Sequence, residues 1–320
     1  MRDTSRNSGE PTSATSVRER TLSRSAAPPT RPPGGSIGSP RTRFAGARAL
    51  LQFPIVFVIP YLVFFVLLVL YPVGYGLYLG RNPSDYLTLF ADSNYRQAVW
   101  NTFVYLAVGV NVKLFLALLL SGFFASPKRR WPKVFLLVFL LPWAVPALPG
   151  FMSIHWMFNT DYGLVNSILG TLGLGDSRAW LIEYESAFGI IIGAYVWKSL
   201  PFWTVLLFAA RMAIPKDIYE AAAVDGCVGV KRFLYISFPL LRNVYVTSTL
   251  LSTIWTLGDY NAVRFITNGG PFNSTQVLAT LGVNYAFLGG DVSQGVAVVL
   301  TAIPLIIPLV ALLVHRLRKD

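Results

Sequence analysis

The chain has 320 residues, of which 54% are hydrophobic and 13% charged, and its mean hydropathy is +0.53. So few charges cannot keep that much apolar surface in water, which excludes a soluble globular domain and leaves a polytopic membrane protein with room for about six spans of roughly 20 residues. The net charge is +12, but the basic residues gather in an N-terminal tail and at loop ends rather than along a face, so no nucleic-acid partner is expected.

Residues 1–48 are rich in Ser, Thr, Pro, Gly and Arg and nearly devoid of large apolar side chains. They cannot bury enough surface to fold. The division expected is a disordered basic cytoplasmic tail over 1–48, resting on anionic membrane lipid, and a transmembrane domain over 49–320. An organellar transit peptide is the rival reading, but the Pro-Pro and Gly-Gly pairs from Pro28 onward spoil the amphipathic helix it needs.

The first span covers about residues 53–79. It is too long for a signal-peptide core and should remain as an anchor. A loop through Arg81, Asp85, Asp92 and Arg96 follows, then a second span near 99–124 and the short basic loop 126–133. The third span, near 134–158, contains Pro142, Pro146 and Pro149, which a bundle tolerates where neighbours satisfy the freed carbonyls. Gly and Asn turn signals mark 159–185 as a loop. A fourth span over 186–212 precedes a polar stretch at 215–239, and further spans are expected near 244–266 and 292–314.

Basic residues collect on the cytoplasmic side of a membrane. With both termini placed there, the inner segments hold the tail arginines, the 126–133 cluster, Arg211, Lys216, Lys231, Arg232, Arg242 and the C-terminal run. The outer loops hold only Arg81, Arg96, Arg178 and Arg264. This orientation puts the 215–239 stretch in the cytoplasm. The single cysteine, Cys227, excludes an intrachain disulfide and a cysteine metal cluster. His155 and His315 lack ligand spacing, so packing or an interface is expected for His155, and no metal or cofactor.

Within 215–239, Pro215 suits a first helical turn, Ile218–Val224 reads as helix, and Gly226 permits a turn. Val228–Ser237 reads as a second helix that Pro239 stops or kinks. From spacing alone this could be an amphipathic loop at the lipid interface. The residues Glu220-Ala-Ala, Asp225-Gly226, Phe233, Ile236 and Pro239 resemble the coupling loop of binding-protein-dependent ABC import permeases. Cys227 stands where that family usually has alanine, and Arg242-Asn243 where a second proline is common. The resemblance runs from about residue 50 to the end. It implies an all-α polytopic fold with a cytoplasmic helix–turn–helix, in which Glu220, Ala221, Ala222, Asp225, Gly226, Phe233 and Pro239 couple to an ATPase. It also implies a second homologous permease subunit, an ATP-binding subunit dimer and an extracytoplasmic solute-binding protein.

Few charges lie at membrane depth: Lys113, Lys198 and Asp259. Such groups should face the bundle interior, water or a partner. Aromatics and amides surround them in Trp197-Lys-Ser-Leu-Pro-Phe-Trp203 and Trp255-Thr-Leu-Gly-Asp-Tyr-Asn261. Rings that stack on C–H faces beside groups that bind hydroxyls suit a sugar, although single Trp and Tyr residues also form interface belts. On a continuous fifth span, Asp259 would lie one turn above Trp255 on the same face. Trp156 with Asp161–Asn166 and Leu169, Trp197-Lys-x-x-Pro-Phe202, and Leu257–Pro271 resemble the carbohydrate-importing branch, the last being closer to the maltose-system subunit that lines the sugar site than to its partner subunit. Trp197, Lys198, Trp255, Asp259, Tyr260 and Asn261 are therefore the substrate-path candidates. An importer of glycerol phosphate or a polyol is the alternative. A secondary transporter should show internal repeats and coupling acids, and a membrane enzyme clustered acids or histidines. The chain lacks a phosphate-cradling Gly-rich loop with Lys-Ser/Thr, so ATP hydrolysis is expected on separate subunits.

Overall fold

The computed structural model describes residues 58–125, 133–175 and 177–317. The tail, the start of the first span, most of the basic loop and the last three residues lie outside them. Compactness divides the chain at Val63 and Phe64. The described part of the first unit, residues 58–63, is helical; the helix bundle belongs to the second.

Every regular element among the described residues is a helix. In chain order they are α1 (Val58–Leu79), α2 (Pro83–Ala91), α3 (Ser93–Phe124), α4 (Lys133–Ala144), α5 (Ala147–Met157), α6 (Leu164–Thr171), α7 (Tyr184–Met212) and α8 (Lys216–Val224). Residues 230–257 form α9, followed by α10 (Asn261–Ile266), α11 (Leu278–Leu288), α12 (Val292–Leu300) and α13 (Ile303–Leu317).

Three of these, α1, α3 and α7, are long and apolar enough to cross a membrane, and α4 with α5 makes a fourth if that pair, bent by 96°, is one span. The other two expected spans differ from expectation for identifiable reasons. Helix α9 starts well before residue 244 and carries Ser248, Ser252 and Thr256 along a buried face, which lowers its hydropathy. The last span is interrupted between α12 and α13, where Pro304 cannot coexist with a bonded carbonyl at Leu300. Helix α3 begins earlier than expected because Asp92 caps it, its carboxylate accepting the Asn94 N–H at 2.8 Å.

Prolines shape the helices in two ways. Pro72 and Pro239 each follow a one-turn π-helical stretch, Val66–Leu70 and Phe233–Ser237. The N–H of the residue before each proline reaches five residues back, Tyr71 to Val66 and Phe238 to Phe233, so the chain widens by one residue and continues. Pro239 therefore does not stop its helix. At Val145–Pro146 the chain breaks instead, since closely spaced prolines remove successive ladder bonds.

The core lies where α3 crosses α7. Leu106, Val110, Leu114, Ala117 and Leu118 of α3 share one buried cluster with Trp203 and Leu207 of α7 and Leu241 of α9. Phe103, Val112, Phe115 and Leu119 point outward from α3. Lipid tails are as apolar as these side chains, so helix association rests on close packing and interhelical hydrogen bonds rather than on escape from water. His155 belongs to that packing: its Nδ1 lies 2.6 Å from the Ile266 carbonyl oxygen, joining α5 to α10. The 159–185 connection is built around buried Asn166, which bonds the backbone of Thr160 and Arg178 and accepts the Trp180 indole N–H at 2.7 Å.

Candidate functional site

The coupling candidates lie at the end of the bundle where α3 and α7 finish. Helix α8 follows Pro215 in an extended conformation and carries Asp217 in its first turn, favourable for the helix dipole. Its end is closed by two hydrogen bonds, Cys227 N–H to Ala222 oxygen at 2.8 Å and Gly226 N–H to Ala223 oxygen at 3.2 Å. That is the Schellman pattern, and it requires the left-handed conformation Gly226 adopts at φ 71°. Gly229, at φ 61° and ψ −127°, turns the chain a second time in a region side chains avoid. The second helix consequently starts at Val230, not Val228, and runs on as α9. Two glycines make this turn; the sequence reading identified one.

Glu220, Ala221, Asp225, Gly226 and Pro239 are exposed, Phe233 is half-buried and Ala222 is buried. Around them Ile218, Val224, Val228, Val230 and Tyr235 are also exposed, Val224 at 88%. An apolar surface beside acids and bases, on an element that leaves the bundle, has the character of a contact surface.

The substrate-path candidates occupy three surroundings. Trp255, 54% exposed, packs against Phe202 and Trp203 of α7, each ring centroid 5.7 Å away, and Phe202 stacks on Trp143 at 5.8 Å. Asp259 is not on the Trp255 helix, because the chain breaks at Gly258 and restarts at Asn261. Its carboxylate accepts the Tyr105 hydroxyl at 2.6 Å and the Asn261 N–H at 3.2 Å. Tyr260 is half-buried and Asn261 exposed beside it.

Lys198 sits at the proline break. Its Nζ donates to the carbonyls of Pro142 at 3.3 Å and Val145 at 2.5 Å, the groups the prolines leave without ladder partners. Trp197, one residue before, faces an apolar cavity of about 770 Å³ between α5 and α7, lined also by Val145, Ile154, Phe158, Gly189 and Gly193.

Sequence reasoning missed the tyrosines that connect these regions. Fully buried Lys113 donates to the Tyr195 hydroxyl at 2.7 Å. Tyr195 donates onward to Thr256 Oγ1 at 2.5 Å, and Thr256 donates to the Ser252 carbonyl at 2.6 Å. The order of donors is fixed at the far end, because the Ser252 carbonyl can only accept and the Thr256 hydroxyl has a single proton to give it. Tyr105 lies against Tyr195 with centroids 5.0 Å apart. The available signal was spacing: Tyr105, Gly109 and Lys113 recur every four residues on α3 and therefore share a face.

Comparison with known proteins agrees with this architecture. Residues 113–319 match the family of binding-protein-dependent transport system inner membrane components. The trehalose/maltose transport system permease protein MalF of Thermococcus litoralis is 38% identical over 57% of this chain and 62% of its own length. The sulfoquinovosyl glycerol transport system permease protein SmoG of Agrobacterium fabrum is 31% identical over 73% of this chain and 76% of that one. A chain of a bacterial alginate ABC transporter, solved with an alginate pentasaccharide-bound periplasmic protein, shares the fold with a TM-score of 0.73 at 18% identity, over 85% of this chain and 96% of that one. The matched region contains α7 to α9, with both glycines of the turn, and exceeds half the chain, so the protein belongs to the family of binding-protein-dependent transport system inner membrane components.

Proposed function

We propose that the chain is the permease subunit of an ATP-driven ABC importer that moves a sugar, of oligosaccharide class, across the cytoplasmic membrane. It works with a second homologous permease, a pair of ATP-hydrolysing subunits and an extracytoplasmic solute-binding protein. Both termini are cytoplasmic, residues 1–48 form a separate basic tail, and six spans cross the bilayer. The observation that carries the coupling assignment is the glycine-built turn after α8, which holds an exposed apolar and acidic surface outside the packed bundle. ATP closure of the paired subunits pushes on this surface through Glu220, Ala221 and Asp225 and rocks the bundle between inward- and outward-facing states.

The sugar assignment is supported by the aromatic group Trp143–Phe202–Trp255, which offers ring faces. A phosphorylated ligand such as glycerol phosphate finds less, because the ammonium groups of Lys113 and Lys198 are both engaged within the protein. The test is uptake into proteoliposomes holding the complete complex, with binding protein outside and ATP inside, using labelled maltooligosaccharide and glycerol 3-phosphate. ATP-dependent entry of the oligosaccharide is expected. Entry driven by an ion gradient without ATP would refute the reading, and entry of glycerol 3-phosphate alone would refute the sugar class.

A further inference from the structure

We propose that Arg211 is the joint that passes movement of the coupling segment to α3 and α7, acting as a positioning residue for transport. The inference rests on the coupling role proposed for the helix–turn–helix and adds the point of transmission. Arg211 lies in the last turn of α7 and is 8% exposed. Its Nε donates to Ser121 Oγ at 3.4 Å and its Nη2 to the Leu118 carbonyl at 3.5 Å, both near the end of α3. The guanidinium carbon lies 5.9 Å from the centre of the Phe233 ring at the start of α9. The Tyr219 side chain of α8 faces the same group. Tyr219 is in turn tied to α9, accepting from Ser237 Oγ at 3.4 Å and lying under Arg232 at 5.6 Å.

One side chain at the end of α7 thus touches the end of α3 and the second arm of the helix–turn–helix, to which Tyr219 of the first arm is tied. Gly122 lies beside the group: a Cβ there would stand 3.5 Å from the guanidinium, an ordinary van der Waals contact. A planar fork with several fixed donors joins two directions at once, and a lysine point charge does not. A charge held in such a place is more than packing, because a methionine would fill the volume without tying Leu118, Ser121 and Phe233 together. Displacement of the start of α9 therefore reaches α3 through a contact that bypasses the turn after α8.

The test uses the assembled complex in proteoliposomes and measures substrate moved per ATP hydrolysed, with complex yield in the same membranes. Arg211→Met should assemble and hydrolyse ATP, while substrate moved per ATP falls about tenfold, the usual scale of coupling between sites. Arg211→Lys should recover part of the loss by keeping a cation over Phe233. If Arg211→Met fails to assemble, Arg211→Lys and Phe233→Leu, singly and together, carry the test, and losses smaller in combination than their sum are expected. Unchanged transport per ATP would overturn the proposal, as would a loss of transport that only tracks complex yield. A wild-type complex without ATP-driven uptake would refute the importer reading itself, so the two failures are distinct.

Discussion

Replacing Lys198 by methionine separates a structural role from a substrate role at the proline break. The ammonium bonds two carbonyls, Pro142 at 3.3 Å and Val145 at 2.5 Å. Leaving a buried acceptor unsatisfied costs about 1–3 kcal/mol, but interhelical hydrogen bonds in membranes average nearer 0.6 kcal/mol because the freed groups find other partners. Two bonds to a charged donor, half-buried, then amount to about 2 kcal/mol, or a fall of roughly 3 °C in melting midpoint for a chain of this length. Lys198→Met should show that fall in the purified complex, with uptake per assembled complex within about twofold of wild type. Lys198→Arg, which keeps the donors, should restore most of the stability. A normal melting midpoint together with a tenfold loss of uptake would refute the argument and return Lys198 to the sugar path.

Other substitutions probe the remaining assignments. Gly226 has open space around its Cβ position, so substitution there reports backbone strain alone: Gly226→Asn should transport nearly as wild type, whereas Gly226→Val, at about 1–2 kcal/mol for the left-handed conformation, should lose coupling at equal membrane abundance. Equal transport by both would show the turn conformation is immaterial. Trp255→Ala should lower uptake without lowering complex yield, while Asp259→Asn should lower yield more than uptake, because Tyr105 of α3 loses a charged acceptor; the opposite pattern would exchange their roles. An impermeant thiol reagent applied to intact cells should label Leu172→Cys in a Cys227→Ala background and leave native Cys227 unlabelled. Labelling of Cys227 from outside would overturn the orientation.

Composition and apolar run length were enough to read an all-helical membrane protein, because the bilayer forces the backbone to satisfy itself. Local chemistry gave α8 and the turn at Gly226, since proline and glycine act within a residue or two of where they stand. What could not be read depended on partners distant in sequence. Whether Pro239 stops a helix or widens it is decided by whether a long apolar segment follows and has a core to enter, here through Leu241 and Leu250. Lys198 meets α4 and α5 only because a proline break frees carbonyls beside it. Tyr105 and Tyr195 look like ordinary interface aromatics until Lys113 and Asp259 are seen against them. Gly258 looked innocuous within an apolar run, yet it separates α9 from Asp259.

That separation changes how the two ends of the molecule are connected. Helix α9 runs from Phe233, beside Arg211, to Trp255, about 33 Å later at 1.5 Å per residue, with its first break at Gly258. A π-helical turn and Pro239 lie at its start, and from Leu240 to Trp255 the helix is uninterrupted. Asp259 lies beyond the break, where its carboxylate is held by Tyr105 of α3. Thr256, on the last turn of α9, is held through Tyr195 to Lys113, also of α3, so a displaced α9 must lengthen or exchange that contact. A continuous span would have moved Trp255 and Asp259 together and kept their spacing fixed. The break instead leaves the distance between the Trp255 ring and the Asp259 carboxylate free to change when α9 moves relative to α3.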